Sequence, residues 1–446
     1  MRWSILLELS AKRENFDITG KILMSRIIRK TKKKSLIFPL KKYSSERTQY
    51  DHFIKTSELS RNIMNRIITY STDAPRSETE ILRKLNAGDL ASMSAMLGSC
   101  TMPPFGTIGE RAIQRWFSLN LDKIYYDDKS VSEIFKENMK KDFTKYNSVS
   151  RAFRYMLRYD EDIFPEKFLL APVSCFDGEK VAPGCFYSEA GCMEEIYDGF
   201  KVKYFRHPMT LVLHAARYIS LVSAFLEDII AEDFITCRKM IKALRCTEEF
   251  YEDTENDEYE EFASLVKYFE EVATGHMYSR DIDNPEAIRK WLIYTEEVMC
   301  DMVAKMYVKN YREIMIGKYT QNLIEGSWCR TFKLGFDNIQ KKMTKLSNKF
   351  FMLELHVGKF YDFMLDTFIN AVVYYDTDRK LDEESEQVME IIPDKYKKVY
   401  AEAAKKVREH EKLYLRFMMV MDFISDLSDD EMIEIVSVLK GETRGF

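Results

Sequence analysis

Chain breakers are scarce in this sequence, with 10 prolines and 16 glycines among 446 residues. Few segments alternate apolar and polar residues as strands should, which sets aside a predominantly β fold. No run approaches the roughly 18 consecutive apolar residues of a membrane-spanning helix. The opening "MRWSILLELSAKREN" carries Arg2 and Glu8 around an apolar stretch too short for a signal peptide, so a soluble, cytoplasmic protein without membrane contact is expected. The eight cysteines (100, 175, 185, 192, 237, 246, 300 and 329) contain no CxxC pair, and no histidine stands near them at a metal-ligand spacing. Free thiols in a reducing compartment are the simplest reading. A large charge of one sign is missing too: 67 Lys and Arg against 72 Asp and Glu leave a net charge of −5. That balance argues against a chain whose main task is coating nucleic acid. There are no repeats and no low-complexity tract.

What remains is a globular composition, 46% hydrophobic and 13% aromatic, long enough for roughly two to three domains or one large helical body. Helical periodicity dominates. Leu211, Ala215, Ile219, Val222, Leu226 and Ile229 recur at three- or four-residue steps, as do Phe360, Phe363, Met364 and Phe368, predicting two core-facing helices. "KVAPGCFYS" (180–188) and "KVKYF" (201–205) are the candidates for a minor β hairpin. Residues 247–261 carry nine acidic side chains and no basic one, which reads as a solvated loop or helix end because the spacing matches no calcium loop. Opposite in sign, "RIIRKTKKKSLIFPLKK" (26–42) reads as either a solvated basic helix face or a phosphate-contacting surface.

Against this background "LGSCTMPPFGTIGE" (97–110) spends two of the prolines and three of the glycines. Proline fixes φ and glycine opens conformations closed to other residues, so the cluster imposes a backbone shape. Cys100 beside Ser99 has no His base nearby in sequence, and a small buried thiol is its default reading.

Read in order, the segments resemble one family, the deoxyguanosine triphosphate triphosphohydrolases of the HD-domain phosphohydrolase superfamily. "WSILLELSAKR" (3–13) is similar to its W-x-x-LL-S-x-x-R opening. "KILMSRIIRKTKKKSLIFP" (21–39) is similar to RII-S-S-A-F-R-R-L-x-x-K-T-Q-V-F-P, with Arg29, Lys30, Lys34, Phe38 and Pro39 in register. "ERTQYDHFIKTSELSRNI" (46–63) resembles R-T-R-L-T-H-S-L-E-V-x-x-x-x-R-x-I at Arg47, Thr48, His52 and Arg61. The 97–110 stretch falls without a gap on H-D-I-G-H-P-P-F-G-H-x-G-E. "DFTKYNSVSRAFRYM" (142–156), "GCFYSEAGCMEEI" (184–196), "RHPMTLVLHAARYISLVSAFLEDII" (206–230) and "VMDFISDLSDDEMIEI" (420–435) resemble the later family segments in the same order.

The resemblance implies a mostly α protein: an N-terminal segment with the basic stretch (1–39), an HD-like core (40–235) and a C-terminal helical region (236–446). In the family a histidine, a His-Asp pair and a distant aspartate bind a divalent metal that aligns nucleophile and triphosphate. Here His52 keeps the first position. The His-Asp pair falls on Gly98 and Ser99, the later histidines on Met102 and Thr107, and the distant aspartates on Arg217 and Tyr218. Such a set offers a hard cation almost nothing, so the metal cofactor is expected to be lost. His52 and Glu110 stand as catalytic remnants. His52 reads either as a surviving ligand or phosphate contact or as a hydrogen-bonded helix residue, and Glu110 as a cap for a helix starting near Ile108. Arg217 reads as a phosphate partner or as half of a salt bridge with Glu110 or Asp51. Arg29, Lys30, Lys34 and Arg47 gain weight as a phosphate-facing surface, whereas Val149 and Arg151, standing where the family has Asn and Gln, weaken guanine recognition.

The leading expectation is a catalytically inactive nucleotide-binding or regulatory subunit. It would take dGTP or another dNTP and form a homo-oligomer, up to a hexamer, or join an active paralogue. The alternatives are an active dNTP triphosphohydrolase with a rearranged site, and a structural or signalling module binding a protein or nucleic acid through 26–42.

Overall fold

The computed structural model describes residues 15–38, 47–71, 86–159, 184–199, 207–248, 257–274, 285–326 and 329–442. Within them the chain is mostly α, and strands are confined to Tyr125–Tyr126 paired antiparallel with Lys129–Ser130. That hairpin is not the one expected. Residues 180–183 and 201–205 lie outside the described residues, and Tyr187–Glu189 forms a 3-10 turn. Strands two residues long are too short to leave an alternating pattern; the local sign is Asp127, which takes a positive φ of 53° in the turn.

Both predicted core helices form. The first runs Pro208–Ala231 and buries Leu211, Ala215, Ile219, Val222, Leu226 and Ile229. Among the described residues it is the one helix long and apolar enough to cross a membrane, and most of it is packed inside the protein. The second runs Asn348–Val372. Their starts are written locally. Pro208 occupies the first turn, where its missing N–H costs nothing, and His207 Nδ1 accepts from Met209 N at 3.1 Å. Helix Gln49–Tyr70 opens on Thr48, whose N–H and hydroxyl both donate to Asp51. The acidic stretch 247–261 ends helix Cys237–Glu248 and opens helix Asp257–Thr274; residues 249–256 lie outside the described residues.

His207 carries a pH dependence. Burial pushes its imidazole down to about 3. An unfolded histidine titrates near about 6.5, so the stability this group contributes is complete above that pH and is lost as pH falls toward the folded value. Burial raises Asp142 and Asp228 to about 7, and these act with the opposite sign in the same window. The difference between two variants isolates the histidine. His207→Asn keeps an acceptor for Met209 N and removes the titration, so its Tm relative to wild type is expected to climb as pH drops from about 7 to about 4.5. A difference that stays flat across that range contradicts the assignment.

Apolar side chains form two clusters. One gathers helices 49–70, 87–99, 148–158, 208–231 and those from 237 to 346. The other gathers helix 106–120 and most of the chain from Val357 to Val436. The expected boundaries at 39/40 and 235/236 do not coincide with this division: Ile27 and Leu36 sit in the first cluster with Phe53 and Phe225, while Phe105 and Ile108 sit in the second. The chain crosses between clusters at Met102–Phe105, between Tyr146 and Ala152, out to Phe186 and back between Met156 and Met193, and between Phe350 and Val357. The first crossing is the proline- and glycine-rich stretch.

Candidate functional site

Residues 100–105 connect helix Ala87–Ser99 to helix Gly106–Asn120. Phe105 has φ 62° and Gly106 φ 56°, both left-handed. A phenylalanine in that region is uncommon. Its N–H donates to Asp429 Oδ1 at 2.8 Å and its ring stacks on Phe360, which fixes the conformation from two sides. The carbonyls before it are each held by a side chain from a different part of the chain. Arg151 donates to Thr101 O at 3.0 Å and Lys34 to Met102 O at 3.0 Å; Gln49 reaches Pro103 O at 2.9 Å and Tyr361 reaches Pro104 O at 2.8 Å. All four donors are buried, so each bond replaces one that water would otherwise make.

Behind this loop lies a charged knot. Asp426 accepts from Lys395 at 2.8 Å and from Tyr396 at 2.6 Å, and stands 3.6 Å from Lys30 and 3.8 Å from Arg151. Burial alone would raise its pKa; Arg151, Lys395, Lys30 and Lys34 outweigh that and hold the carboxyl well below the usual range. Asp422 pairs with Arg154 at 2.8 Å, and Arg154 with Glu189 at 2.8 Å. Asp429 accepts from Ser35 N and Ser35 Oγ as well as from Phe105. The segments 21–39, 97–110, 142–156 and 420–435, far apart in sequence, therefore meet at one place.

Among the candidate phosphate contacts, Lys34 turns inward. Its ammonium bonds Met102 O and Ser425 O, and burial together with Arg151 pushes it down to about 7. Lys30 reaches Asp426 and Glu431, and Arg47 pairs with Glu227 at 2.5 Å and Asp228 at 3.4 Å. Arg29 is exposed, as are its neighbours Lys32 and Lys33. Pro39 lies outside the described residues.

At the positions equated with metal ligands, His52, Gly98 and Arg217 come together. Arg217 donates to Gly98 O at 3.2 Å and to Ser148 Oγ at 2.5 Å, and lies 4.0 Å from Glu110. Glu110 rather than Asp51 is its acidic partner, since Asp51 is spent on Thr48. Glu110 does not cap its own helix. It sits beyond the first residues of the 106–120 helix and crosses to accept Ser148 N at 2.7 Å, an otherwise open N–H at the start of helix Ser148–Arg158. His52 is buried, with Nδ1 2.8 Å from Ser220 Oγ and 3.2 Å from Thr56 Oγ1, while Nε2 has no hydrogen-bond partner. Burial, then Arg217, drives its pKa well below the usual value and keeps the ring neutral. Tyr218 turns away and meets Phe336 edge-on. Ser99 and Cys100 are buried, and the Cys100 thiol donates to Leu97 O.

A divalent ion of the kind the resemblance implies needs several anionic or imidazole donors converging on one point. The residues present do not fit that need. They supply one neutral imidazole, a Gly98 carbonyl already engaged, and a guanidinium whose permanent charge repels a cation. Among the described residues no three His, Cys, Asp or Glu side chains gather in a way that would hold a metal.

Several members of the site escape a reading of the sequence. Gln49, Tyr361 and Ser148 carry no signal, whereas Asp422 and Asp429 fall on aspartates of the 420–435 segment and could have been singled out there.

No protein-family model matches the chain. Curated proteins do. A deoxyguanosinetriphosphate triphosphohydrolase-like protein of Listeria innocua is 24% identical, over 99% of this chain and 100% of its own length. The deoxyguanosinetriphosphate triphosphohydrolase of Yersinia enterocolitica is 20% identical over 94% of each chain, and that of Serratia proteamaculans 21% identical over 70% and 69%. With similarity running from end to end, this chain is similar to the deoxyguanosine triphosphate triphosphohydrolases along its whole length.

Proposed function

We propose that this chain is a member of its family that does not hydrolyse deoxynucleoside triphosphates through a divalent metal, and that it serves as a regulatory or nucleotide-binding subunit. The observation that carries this reading is Arg217. Its guanidinium bonds Gly98 O and Ser148 Oγ beside Glu110, at positions the resemblance equates with metal ligands. A fixed cation in that place opposes a metal and favours an anion. Arg217 keeps a partly exposed side chain, so a phosphate oxygen could be met by its remaining N–H groups. Lys34 and Arg47, being engaged internally, are expected to support the surrounding structure rather than touch phosphate. Arg29, at the surface, is the better candidate for direct contact.

The test joins activity, metal content and ligand binding. Purified protein with each dNTP and Mg²⁺, Mn²⁺ or Co²⁺ is expected to release no triphosphate above background and to carry no stoichiometric metal. Thermal unfolding with dGTP at about 100 times its Kd should show a stabilisation of about 2.7 kcal/mol if the nucleotide binds the folded state alone. Triphosphate release that disappears in His52→Ala would overturn the reading in favour of an active, rearranged site. Stabilisation by DNA but not by any dNTP would favour a binding module working through the exposed Arg29, Lys32 and Lys33.

A further inference from the structure

A cleft of about 560 Å³ opens where the end of helix Ser148–Arg158 and the turn Tyr187–Glu189 face helices Asp394–Ala404 and Glu409–Asp426. Its size lies within the range of small-molecule sites, about 300–1,000 Å³. Leu157, Val399 and Leu415 supply apolar lining, together with the rings of Tyr187 and Tyr414, which meet edge-on at 5.7 Å. Both rings are fixed from behind. Tyr414 donates to Asp142 at 2.6 Å and Tyr187 to Glu411 at 2.8 Å. A wall already ordered costs a ligand little to engage.

The charged side chains of the lining are Arg158, Glu194, Glu402, Lys406 and Glu411. Glu411 is spent on Tyr187 and on Lys136, 3.1 Å away. Arg158 gives Nε to Glu189 at 3.2 Å and Nη2 to Ser188 O at 3.3 Å, and its side chain stays 30% exposed with Nη1 unengaged among the described residues. Glu194, Glu402 and Lys406 are exposed and stand in no ion pair among the described residues. Each wall therefore presents an open cation and an open carboxylate, Arg158 with Glu194 on one side and Lys406 with Glu402 on the other. A ligand of a single sign meets its like on both walls, whereas one carrying both signs on an apolar body meets a complement for each. We propose that this cleft binds a zwitterion of that kind, a free α-amino acid or a short peptide, whose ammonium is taken by Glu194 and Glu402 and whose carboxylate is taken by Lys406 and Arg158. The proposal is independent of whether the Arg217 site takes a nucleotide.

Isothermal titration calorimetry of the full chain tests it, with leucine, phenylalanine and the dipeptide Leu-Phe as probes. Saturable binding is expected, and the tighter of amino acid and dipeptide names the source. Acetylating the amine or amidating the carboxylate of that probe should each weaken binding about tenfold, the equivalent of about 1.4 kcal/mol. Lys406→Ala should shrink the cost of amidation alone, and Glu402→Gln the cost of acetylation alone. Spermidine and phenylacetate, each of one sign, should bind more weakly than the zwitterion. Gly191 lines the cleft with nothing within 4 Å of a Cβ, so Gly191→Trp should block binding with circular dichroism and Tm unchanged. No binding of any of the three probes, capped probes as tight as free ones, spermidine tighter than the zwitterions, or full affinity in a folded Gly191→Trp variant would overturn the proposal.

Discussion

Replacing Asp426 by alanine is expected to cost about 3–5 kcal/mol of stability, the range seen when one partner of a buried ion pair is removed. The carboxylate is buried among Lys395, Tyr396, Lys30 and Arg151. Its loss leaves the fully buried Arg151 short of a counter-charge and the Tyr396 hydroxyl without its acceptor, while nothing moves in to solvate them. The cost arises from what is stranded more than from the pair itself. A second substitution tests the connection: Lys34→Met removes another ionisable group of the same cluster, and its cost in the Asp426→Ala background should differ from its cost alone, a coupling that independent sites would not show. Chemical unfolding of the four proteins of this cycle measures it. A loss below about 1 kcal/mol for Asp426→Ala would mean that water reaches the cluster and that its charges are not confined.

Gly106→Ala is expected to cost about 2–5 kcal/mol. An alanine Cβ there would stand 1.9 Å from Leu36 O and 2.6 Å from Leu36 C, both backbone atoms. Neither can swing aside as the tip of a long side chain would. The residue also holds φ 56°, which costs an L-residue about 1–2 kcal/mol before any clash, and forcing a methyl group into a filled site adds about 1–3 kcal/mol. Relief would require the 34–38 segment to lift away, breaking the Thr107 N to Leu36 O bond of 3.2 Å and disturbing Lys34 and Ser35 with it. Gly20→Ala is the matched control, because nothing lies within 4 Å of a Cβ there and alanine is the better helix former. Comparable unfolding midpoints for the two variants would refute the account of the loop.

How much of this was legible depends on what kind of interaction decides each feature. The 208–231 helix was readable because its stripe of Leu211, Ala215, Ile219, Val222 and Leu226 is a period-3.6 pattern within one segment. The bend at 97–110 was readable because proline and glycine announce backbone shape directly. Lys34 was not. Lys32, Lys33 and Lys34 are chemically identical neighbours, and the first two are exposed while the third is buried. What selects the third are the carbonyls of Met102 and Ser425, 68 and 391 residues away. No local pattern encodes that choice. Arg217 was half legible: its charge and a short choice of acidic partners, Glu110 or Asp51, follow from the sequence, but the selection of Glu110 and the bonds to Gly98 O and Ser148 Oγ do not.

The grip on the 101–104 loop falls on peptide oxygens, which every residue type supplies. Arg151, Lys34, Gln49 and Tyr361 hold the path of the chain without regard to the side chains strung along it. Route and cargo are therefore separable traits. Residues 98, 99, 102 and 107 can change identity within the limits of local space while the trace between the two apolar clusters persists, so a lineage can exchange its chemistry without having to reinvent its architecture.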